Sequence, residues 1–185
     1  SVGGQPSNTV NIDWGGVEEN RYQSGLLSCK DLPDLFELVK RAVRDSLGRE
    51  RAGLMLAMAD LGNSPTGFVG AFYPVDSNII VMNKVPLERM EELDPSLYRA
   101  YAFHVLLHEY LHSLGIVDEG ITRARVYQIS AEIFGKDHPV TQMAADISRY
   151  IPMMTYPEED FELPEDYRLE LVHGFDRSST EHYIS

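Results

Sequence analysis

His108, Glu109 and His112 are the residues of this chain whose types and spacing best suit metal chemistry. Residues four apart lie on one face of an α-helix, one turn above the other. The two imidazoles can therefore meet at a point about 2 Å from each, the distance at which zinc binds imidazole nitrogen. Glu109 follows the first histidine directly and can take a proton from water at the metal. The pattern predicts one catalytic zinc ion with Glu109 as the general base.

The residues around this pattern predict that its helix lies in the core of the domain. Apolar side chains flank the three polar ones: Phe103, Val105, Leu106, Leu107, Tyr110, Leu111 and Leu114. Histidine and glutamate side chains on a buried helix need polar partners, because burying an unpaired polar group costs a few kcal/mol. A metal ion would satisfy them.

A catalytic zinc site needs a third protein ligand and one open position. His104 lies in the same row of the helix, but eight residues separate it from His112, a rise of about 12 Å. It is therefore expected to be a core histidine. Gly115 can end the helix and reverse the chain, because glycine adopts left-handed conformations at little cost. Such a turn would bring Asp118 toward the metal as the third ligand.

Other assignments stay open at this position. Asp118 also has the residue type and place to cap the following helix. Glu132, on that helix, is the second candidate ligand, although its spacing from Lys136 is typical of an exposed ion pair. Glu119 is the third candidate ligand.

The spacing resembles that of the metzincin clan of zinc metallopeptidases, whose extended motif is HExxHxxGxx followed by histidine or aspartate. The matching positions are His108, Glu109, His112, Gly115 and Asp118. Most members have histidine at the last position, so the aspartate is a departure. The resemblance implies hydrolysis of peptide bonds. Two alternatives remain: a gluzincin-like (thermolysin-type) metallopeptidase with Glu132 as third ligand, or a metal-binding domain without catalysis.

The segment "IPMMTYP" resembles a second metzincin feature, a tight turn with a methionine below the metal and a tyrosine two residues later. The resemblance makes Met154 the turn methionine, with Met153 as the competing register. A thioether would give the imidazoles an apolar, polarizable floor. Tyr156 would donate a hydrogen bond to the oxyanion that develops on the substrate.

Helix and strand signals surround the motif. A helix is expected in "DLPDLFELVKRAVRDSLG", capped by Asp31 or Asp34 and ended by Gly48. Three strands follow, in "GLMLAMADL", "TGFVGAFYPV" and "SNIIVMNKV". Asp94 and proline after it predict the start of the helix that carries the motif. Further helices are expected in "TRARVYQISAEIFG" and "HPVTQMAADISRY".

The expected fold is a single α+β domain of metzincin-like type. The resemblance implies a twisted mixed sheet with an antiparallel edge strand over the cleft, packed on an N-terminal helix and an active-site helix. An extended peptide can add to such an edge as another strand. Residues 1–156 would form the catalytic domain. Residues 157–185, an acidic tail with interleaved apolar side chains, would dock on it.

Composition limits the partners. The chain has 185 residues, 43% of them hydrophobic and 24% charged, as expected for one globular domain. A net charge of -13 argues against nucleic acid and anionic membranes as partners. The resemblance implies a peptide or protein substrate. Cys29 is the single cysteine, and a chain that cannot form an internal disulfide is typical of the cytoplasm. The oligomeric state is not readable from the sequence.

Overall fold

The computed structural model describes residues 21–62, 68–151, 154–155 and 168–177, without the side chains of residues 68, 154 and 155. Within these ranges the chain forms six α-helices, one 3-10 turn and six short strands. Four of the strands make a mixed sheet, against which helices pack. The predicted α+β class is confirmed.

The N-terminal helix of the prediction is present. Helix α1 covers residues 21–28, and α2 spans Leu32–Leu47. Asp31 caps α2, where its side chain accepts a hydrogen bond from Asp34 N, and Gly48 ends it in a left-handed conformation. The apolar stripe of α2 is buried against α4, the helix that carries the histidines. Cap and stop residues thus placed this helix correctly from sequence.

The sheet has the order β3-β4-β1-β6, with β1 and β4 parallel at its centre. The strands are β1 (Met55–Ala59), β2 (Phe68–Val69), β3 (Ala71–Phe72), β4 (Ile79–Asn83), β5 (Met154–Thr155) and β6 (Glu170–Leu171). Strand β3 pairs antiparallel with β4 and lies at one end of the order. The segment read as one strand, "TGFVGAFYPV", is therefore divided: β2 pairs with β5 in a second, two-stranded sheet.

Helix α3 (Lys84–Leu93) was not predicted, because its first residues read as the end of a strand. Asn83 ends β4 and also caps α3, since its side chain accepts a hydrogen bond from Val85 N. The same amide donates to Gly62 O and Val69 O. One buried side chain thus joins the end of β4, the start of α3, the loop at Gly62 and strand β2.

Helix α4 (Pro95–Ser113) is the central element of the core. Asp94 caps it by accepting hydrogen bonds from Ser96 N and Leu97 N, and Pro95 occupies its first turn, as predicted. From Ala100 to Leu111 every residue is buried. Helices α5 (Glu119–Phe134) and α6 (Pro139–Ala145) pack beside it, followed by the 3-10 turn Ile147–Arg149. No helix in the described ranges has the length and apolarity that crossing a membrane requires.

The described part of the acidic tail, residues 168–177, packs on the domain. Strand β6 pairs antiparallel with β1, and Val172 N donates to Leu56 O. Phe175 is buried and stacks on Phe36 of α2, with ring centroids 4.1 Å apart. The boundary predicted at residue 157 lies outside the described residues.

Candidate metal centre

The last two turns of α4 bring the predicted cluster together. One ligand atom each from His108, Glu109 and His112 lie within 4.8 Å of one another. The two imidazole rings are 4.8 Å apart between centroids and nearly perpendicular. His108 and Glu109 are buried, and His112 is partly buried. The four-residue spacing therefore places both imidazoles on one helix face, as expected.

A turn at Gly115 reverses the chain directly after this cluster. Gly115 has a φ of 98°, which disfavours any residue with a Cβ atom. Gly115 N donates to His112 O, and Ile116 N donates to Leu111 O, the two hydrogen bonds of a Schellman motif. The turn also carries Ile116 O to 2.7 Å from His112 Nδ1. A carbonyl oxygen only accepts, so Nδ1 donates to it, and Nε2 is the ring nitrogen directed at Glu119.

Glu119 is the carboxylate that reaches both imidazoles. Its Oε2 atom lies 3.0 Å from His108 Nε2, and its Oε1 atom lies 2.8 Å from His112 Nε2. In a tetrahedral zinc site with bonds of about 2.1 Å, neighbouring ligand atoms are about 3.4 Å apart. Both contacts are shorter than that spacing, and the two nitrogens meet different oxygens of the carboxylate, so they are hydrogen bonds between the imidazoles and Glu119. Glu119 is not part of the 4.8 Å group, which contains Glu109 as its carboxylate.

Charges in this cluster shift pKa values strongly. Burial alone would raise the pKa of Glu119, but hydrogen bonds from His108 and His112 outweigh it and lower this pKa to about 2. Burial would lower the pKa of His112, yet the hydrogen bond to Glu119 and the charge of Glu109 raise it. Glu119 is therefore ionised at neutral pH, the form of a carboxylate that binds metals.

Asp118, the first candidate for the third ligand, has another role in the structure. It is the N-cap of α5, and its Oδ1 atom accepts a hydrogen bond from Ile121 N at 2.8 Å. Its exposed side chain lies outside the group of three ligand atoms. An N-cap side chain turns toward the first-turn N–H groups of its own helix. The geometry therefore favours Glu119, the third-ranked alternative, over Asp118.

The other candidates lie elsewhere. Glu132 is exposed on α5 and accepts a hydrogen bond from Ser46 of α2 at 3.1 Å, outside the metal cluster. His104 is buried one turn before His108, and its pKa is lowered to about 3 by burial and then by the charge of His108. A neutral core histidine is the role expected for it.

The segment proposed to lie below the metal is only partly described. The backbone of Met154 belongs to β5 and pairs with Phe68 of β2, so it is extended rather than part of a tight turn. Pairing with β2 holds the backbone straight at this point. Met153 and Tyr156 lie outside the described residues.

Glu109 has the properties expected of a general base. Its side chain is buried, and its Oε2 atom has no hydrogen-bond partner among the described residues. Burial raises its pKa, while the charges of His108 and His112 oppose this effect. A buried carboxyl group with one unpartnered oxygen beside a cavity is unfavourable for stability alone. A buried carboxyl group in such a place is typical of a group that acts on a bound molecule.

A cavity of about 770 Å³ opens next to Glu109 and His112. Phe72 of the edge strand β3 and the three residues after it line this cavity, as do residues 117–120 at the start of α5. This volume is in the range that holds a ligand or several residues of an extended peptide. Phe72 of β3, the strand at one end of the described sheet, thus lines the same cavity as Glu109 and His112.

Arg51 positions this cavity and was missed from the sequence. Its guanidinium donates to Ser113 O at the end of α4, to Ser77 O and to the Tyr73 hydroxyl, at 2.7, 2.9 and 3.1 Å. Its backbone N–H donates to Tyr110 Oη at 2.9 Å. One side chain therefore joins the end of α4 to Tyr73 of the cavity wall. An arginine in a loop carries no local signal for such contacts, which depend on partners 22 to 62 residues away.

Comparisons of this chain with known protein families, characterised proteins and solved structures give no match.

Proposed function

We propose that this protein is a zinc-dependent metallopeptidase with a metzincin-like domain. The observation that carries the proposal is the buried Glu109 carboxylate, whose Oε2 atom has no partner among the described residues, beside two imidazoles that share Glu119. Two histidines and one carboxylate are the protein ligands of several catalytic zinc sites. A purely structural site is closed by four protein ligands and needs no base.

The residues present fit zinc in type and charge. His108, His112 and Glu119 would hold the ion, with Asp118 as the alternative carboxylate. When bound, zinc supplies Lewis acidity, which polarises a carbonyl oxygen and lowers the pKa of water at the metal to about 7.

The chain's own groups would perform the remaining chemistry. Glu109 takes the proton of the attacking water and later gives it to the leaving amine, and its raised pKa suits both steps. Ile116 O holds the His112 ring in the tautomer that offers Nε2. Strand β3 would pair with the backbone of an extended peptide, because β3 lies at the end of the described sheet. Tyr156 stays the predicted donor to the oxyanion.

A second candidate has one observation in its favour. Glu119 pairs with both histidines directly, an arrangement that a metal-free binding domain would require. In that case Glu109 would have no function, which is why we prefer the enzyme. The cytoplasm remains the proposed location, since a buried free Cys29 suits a reducing compartment.

The test is zinc analysis combined with peptide hydrolysis in two variants. Glu109→Gln is expected to keep one zinc per chain and to lose at least about 100-fold in kcat, the usual contribution of a general base. His112→Ala is expected to lose zinc and activity together. Wild-type protein that binds no zinc, or a Glu109→Gln variant with full activity, would contradict the proposal.

A further inference from the structure

Arg51 holds the last turn of helix α4 through two hydrogen bonds. Its Nη1 atom donates to Ser113 O at 2.7 Å, and its backbone N–H donates to the Tyr110 hydroxyl at 2.9 Å. Ser113 directly follows His112 in the chain, and Tyr110 directly follows Glu109. Arg51 is therefore bonded to α4 where the helix carries a candidate metal ligand and the candidate base.

The same guanidinium holds the cavity wall, the segment of residues 73–77 whose first three residues line the cavity. Its Nη2 atom donates to Ser77 O at 2.9 Å, and its Nη1 atom also donates to the Tyr73 hydroxyl at 3.1 Å. Tyr73 in turn donates to Ser77 O at 2.5 Å, which closes a ring of three hydrogen bonds. Ser77 O thus accepts from two donors, as many as its two lone pairs allow.

The turn within the wall has bonds of its own. Ser77 N and Ser77 Oγ donate to Pro74 O at 3.1 and 2.6 Å. Val75, between them, is 64% exposed, so it is not anchored in the core. Such bonds keep the shape of the turn, but they do not set its distance from α4. The hydrogen bonds of Arg51 supply that link.

The chemistry of arginine suits this role. A guanidinium carries five N–H donors in a rigid planar fork, whereas the ammonium of lysine is a single point at the end of a flexible chain. Here one fork bonds to α4 and to the wall at once. The distance between the two is therefore fixed by a rigid group.

We propose that Arg51 is a positioning residue for the substrate: it holds the cavity wall at a fixed distance from α4, and peptide binding depends on that distance. Arg51 does not belong to the described residues that line the cavity, so it acts through Tyr73 and Ser77. A misplacement of about 1 Å can cost about 100-fold in rate. The inference rests on the proposed peptidase function and adds a residue that the metal cluster does not include.

The first test compares two arginines at the end of α4. Arg49 also donates to a carbonyl oxygen there, Leu114 O, and forms no hydrogen bond to the wall among the described residues. Arg51→Met and Arg51→Lys should raise KM for a peptide at least about tenfold, with kcat changed less than about threefold and zinc affinity unchanged. Arg49→Met should leave all three quantities as in the wild type.

Arg51→Lys separates position from charge, because it keeps the cation and loses the fork. A wild-type KM in Arg51→Lys would assign the effect to charge and overturn the inference. An unchanged KM in both Arg51 variants, or an equal rise in Arg49→Met, also overturns it.

The second test asks whether Arg51 acts through the wall. Tyr73→Phe keeps the ring and removes the hydroxyl that Arg51 contacts, so it should raise KM less than Arg51→Met does. The double variant should have the KM of Arg51→Met alone, because both changes break the same ring of hydrogen bonds. Effects that multiply in full overturn the inference.

Amide hydrogen exchange tests the wall without any peptide. Residues 75–77 should exchange at least about tenfold faster in Arg51→Met, and at the wild-type rate in Arg49→Met. Unchanged exchange in Arg51→Met overturns the inference. Faster exchange there, in a protein whose wild type hydrolyses no peptide, supports the hold of Arg51 on the wall and overturns the proposed function.

Discussion

Glu119 and Asp118 are neighbours with similar side chains, and their backbone positions give them different roles. Asp118 is the N-cap of α5, and Glu119 is its first residue. The cap aims the Asp118 oxygens at Ile121 N, whereas the first-turn side chain of Glu119 extends back toward α4. One residue of register thus decides which carboxylate meets the imidazoles.

We predict that Glu119→Gln weakens zinc binding by at least about 100-fold, because an amide lacks the charge that balances the ion. Mutating a residue that only hydrogen-bonds a metal ligand already lowers metal affinity about 10–100-fold. Competition with a chromophoric chelator measures the affinity. Asp118→Asn is the control, since asparagine caps helices as well as aspartate. It should bind zinc as the wild type does. The reverse result, with loss only in Asp118→Asn, would restore Asp118 as the ligand.

At the residue scale, the sequence predicted what depends on local spacing. The distance from His108 to His112 is fixed by the helix, and Glu109 follows from the same geometry. If Glu119 holds the metal, the ranking of Asp118 above Glu119 as third ligand is wrong. The spacing after His112 suits both carboxylates and does not separate them. The geometry of the N-cap separates Asp118 from Glu119. It can be deduced only when the first residue of α5 is known.

The turn between α4 and α5 is the element that assembles the cluster. Gly115 lies at a φ of 98°, and a Cβ atom there would meet no heavy atom within 4 Å. Any cost of substitution is therefore conformational. Gly48 offers a comparison, since it ends α2 at a φ of 66° with equally open surroundings.

Gly115→Ala should lower the free energy of unfolding by about 1–2 kcal/mol, the cost of a left-handed L-residue. It should also weaken zinc binding, because residues 116 and 119 are placed by this turn. Gly48→Ala should cost a similar free energy and leave zinc affinity unchanged. Urea unfolding and the chelator assay give both quantities. Equal zinc affinity in the two variants would show that the turn does not position the ligands.

Helix α6 provides a pH test away from the metal. His138 caps it by accepting a hydrogen bond from Val140 N at its Nδ1 atom, and its ring stacks on Phe134 at 4.4 Å. Burial lowers the pKa of His138 below its usual 6.5. The unfolded chain therefore takes up the proton first as the pH falls.

The stability contributed by His138 is thus complete above pH 6.5, its unfolded value, and is lost as the pH falls through the lower folded pKa. His138→Asn keeps a capping side chain without a titrating ring. Urea unfolding between pH 7.5 and about 5 should show the wild type losing more stability than the variant. Parallel curves would mean that the ring is protonated equally in both states.

Elements with strong local signals were predicted, and those that depend on distant partners were not. Asp31, Asp94 and Gly48 placed helix ends correctly. Strand β6 was missed, because its pairing with β1 joins positions more than 100 residues apart, such as Ala57 and Leu171. Its own sequence is exposed and acidic, so nothing local predicts a strand.

At the scale of the whole molecule, the acidic tail is joined to the N-terminal half by a buried ion pair. Asp176 accepts a hydrogen bond from Lys40 Nζ at 2.8 Å and another from Leu54 N at 3.2 Å. Lys40 also pairs with Glu37 at 2.6 Å. The described part of the tail thus completes the core beneath α2, while its other acid, Glu170, is exposed and pairs with Lys84 at 3.0 Å.

Asp176→Ala should lower the free energy of unfolding by about 3 kcal/mol, because it leaves the Lys40 ammonium and Leu54 N–H buried without their shared carboxylate. Arg177→Ala is the matched control. Arg177 lies next to Asp176 in the tail, and its replacement removes an exposed ion pair with Asp34 of α2. This change should lower the free energy of unfolding by less than about 1 kcal/mol. Urea unfolding compares the two.

The double variant Lys40→Met, Asp176→Leu separates charge from packing. Apolar replacement of both partners removes the buried ammonium together with its Asp176 carboxylate, so it should recover most of the stability that Asp176→Ala loses. Glu37, whose side chain is 28% exposed, stays in contact with water. Recovery would show that the tail docks mainly by apolar contacts such as the stack of Phe175 on Phe36, with the ion pair fixing its register. If the double variant is as unstable as Asp176→Ala, the hydrogen bond from Leu54 N is what holds the tail. An Asp176→Ala protein as stable as the Arg177→Ala control would mean that residues 168–177 are not part of the folding unit.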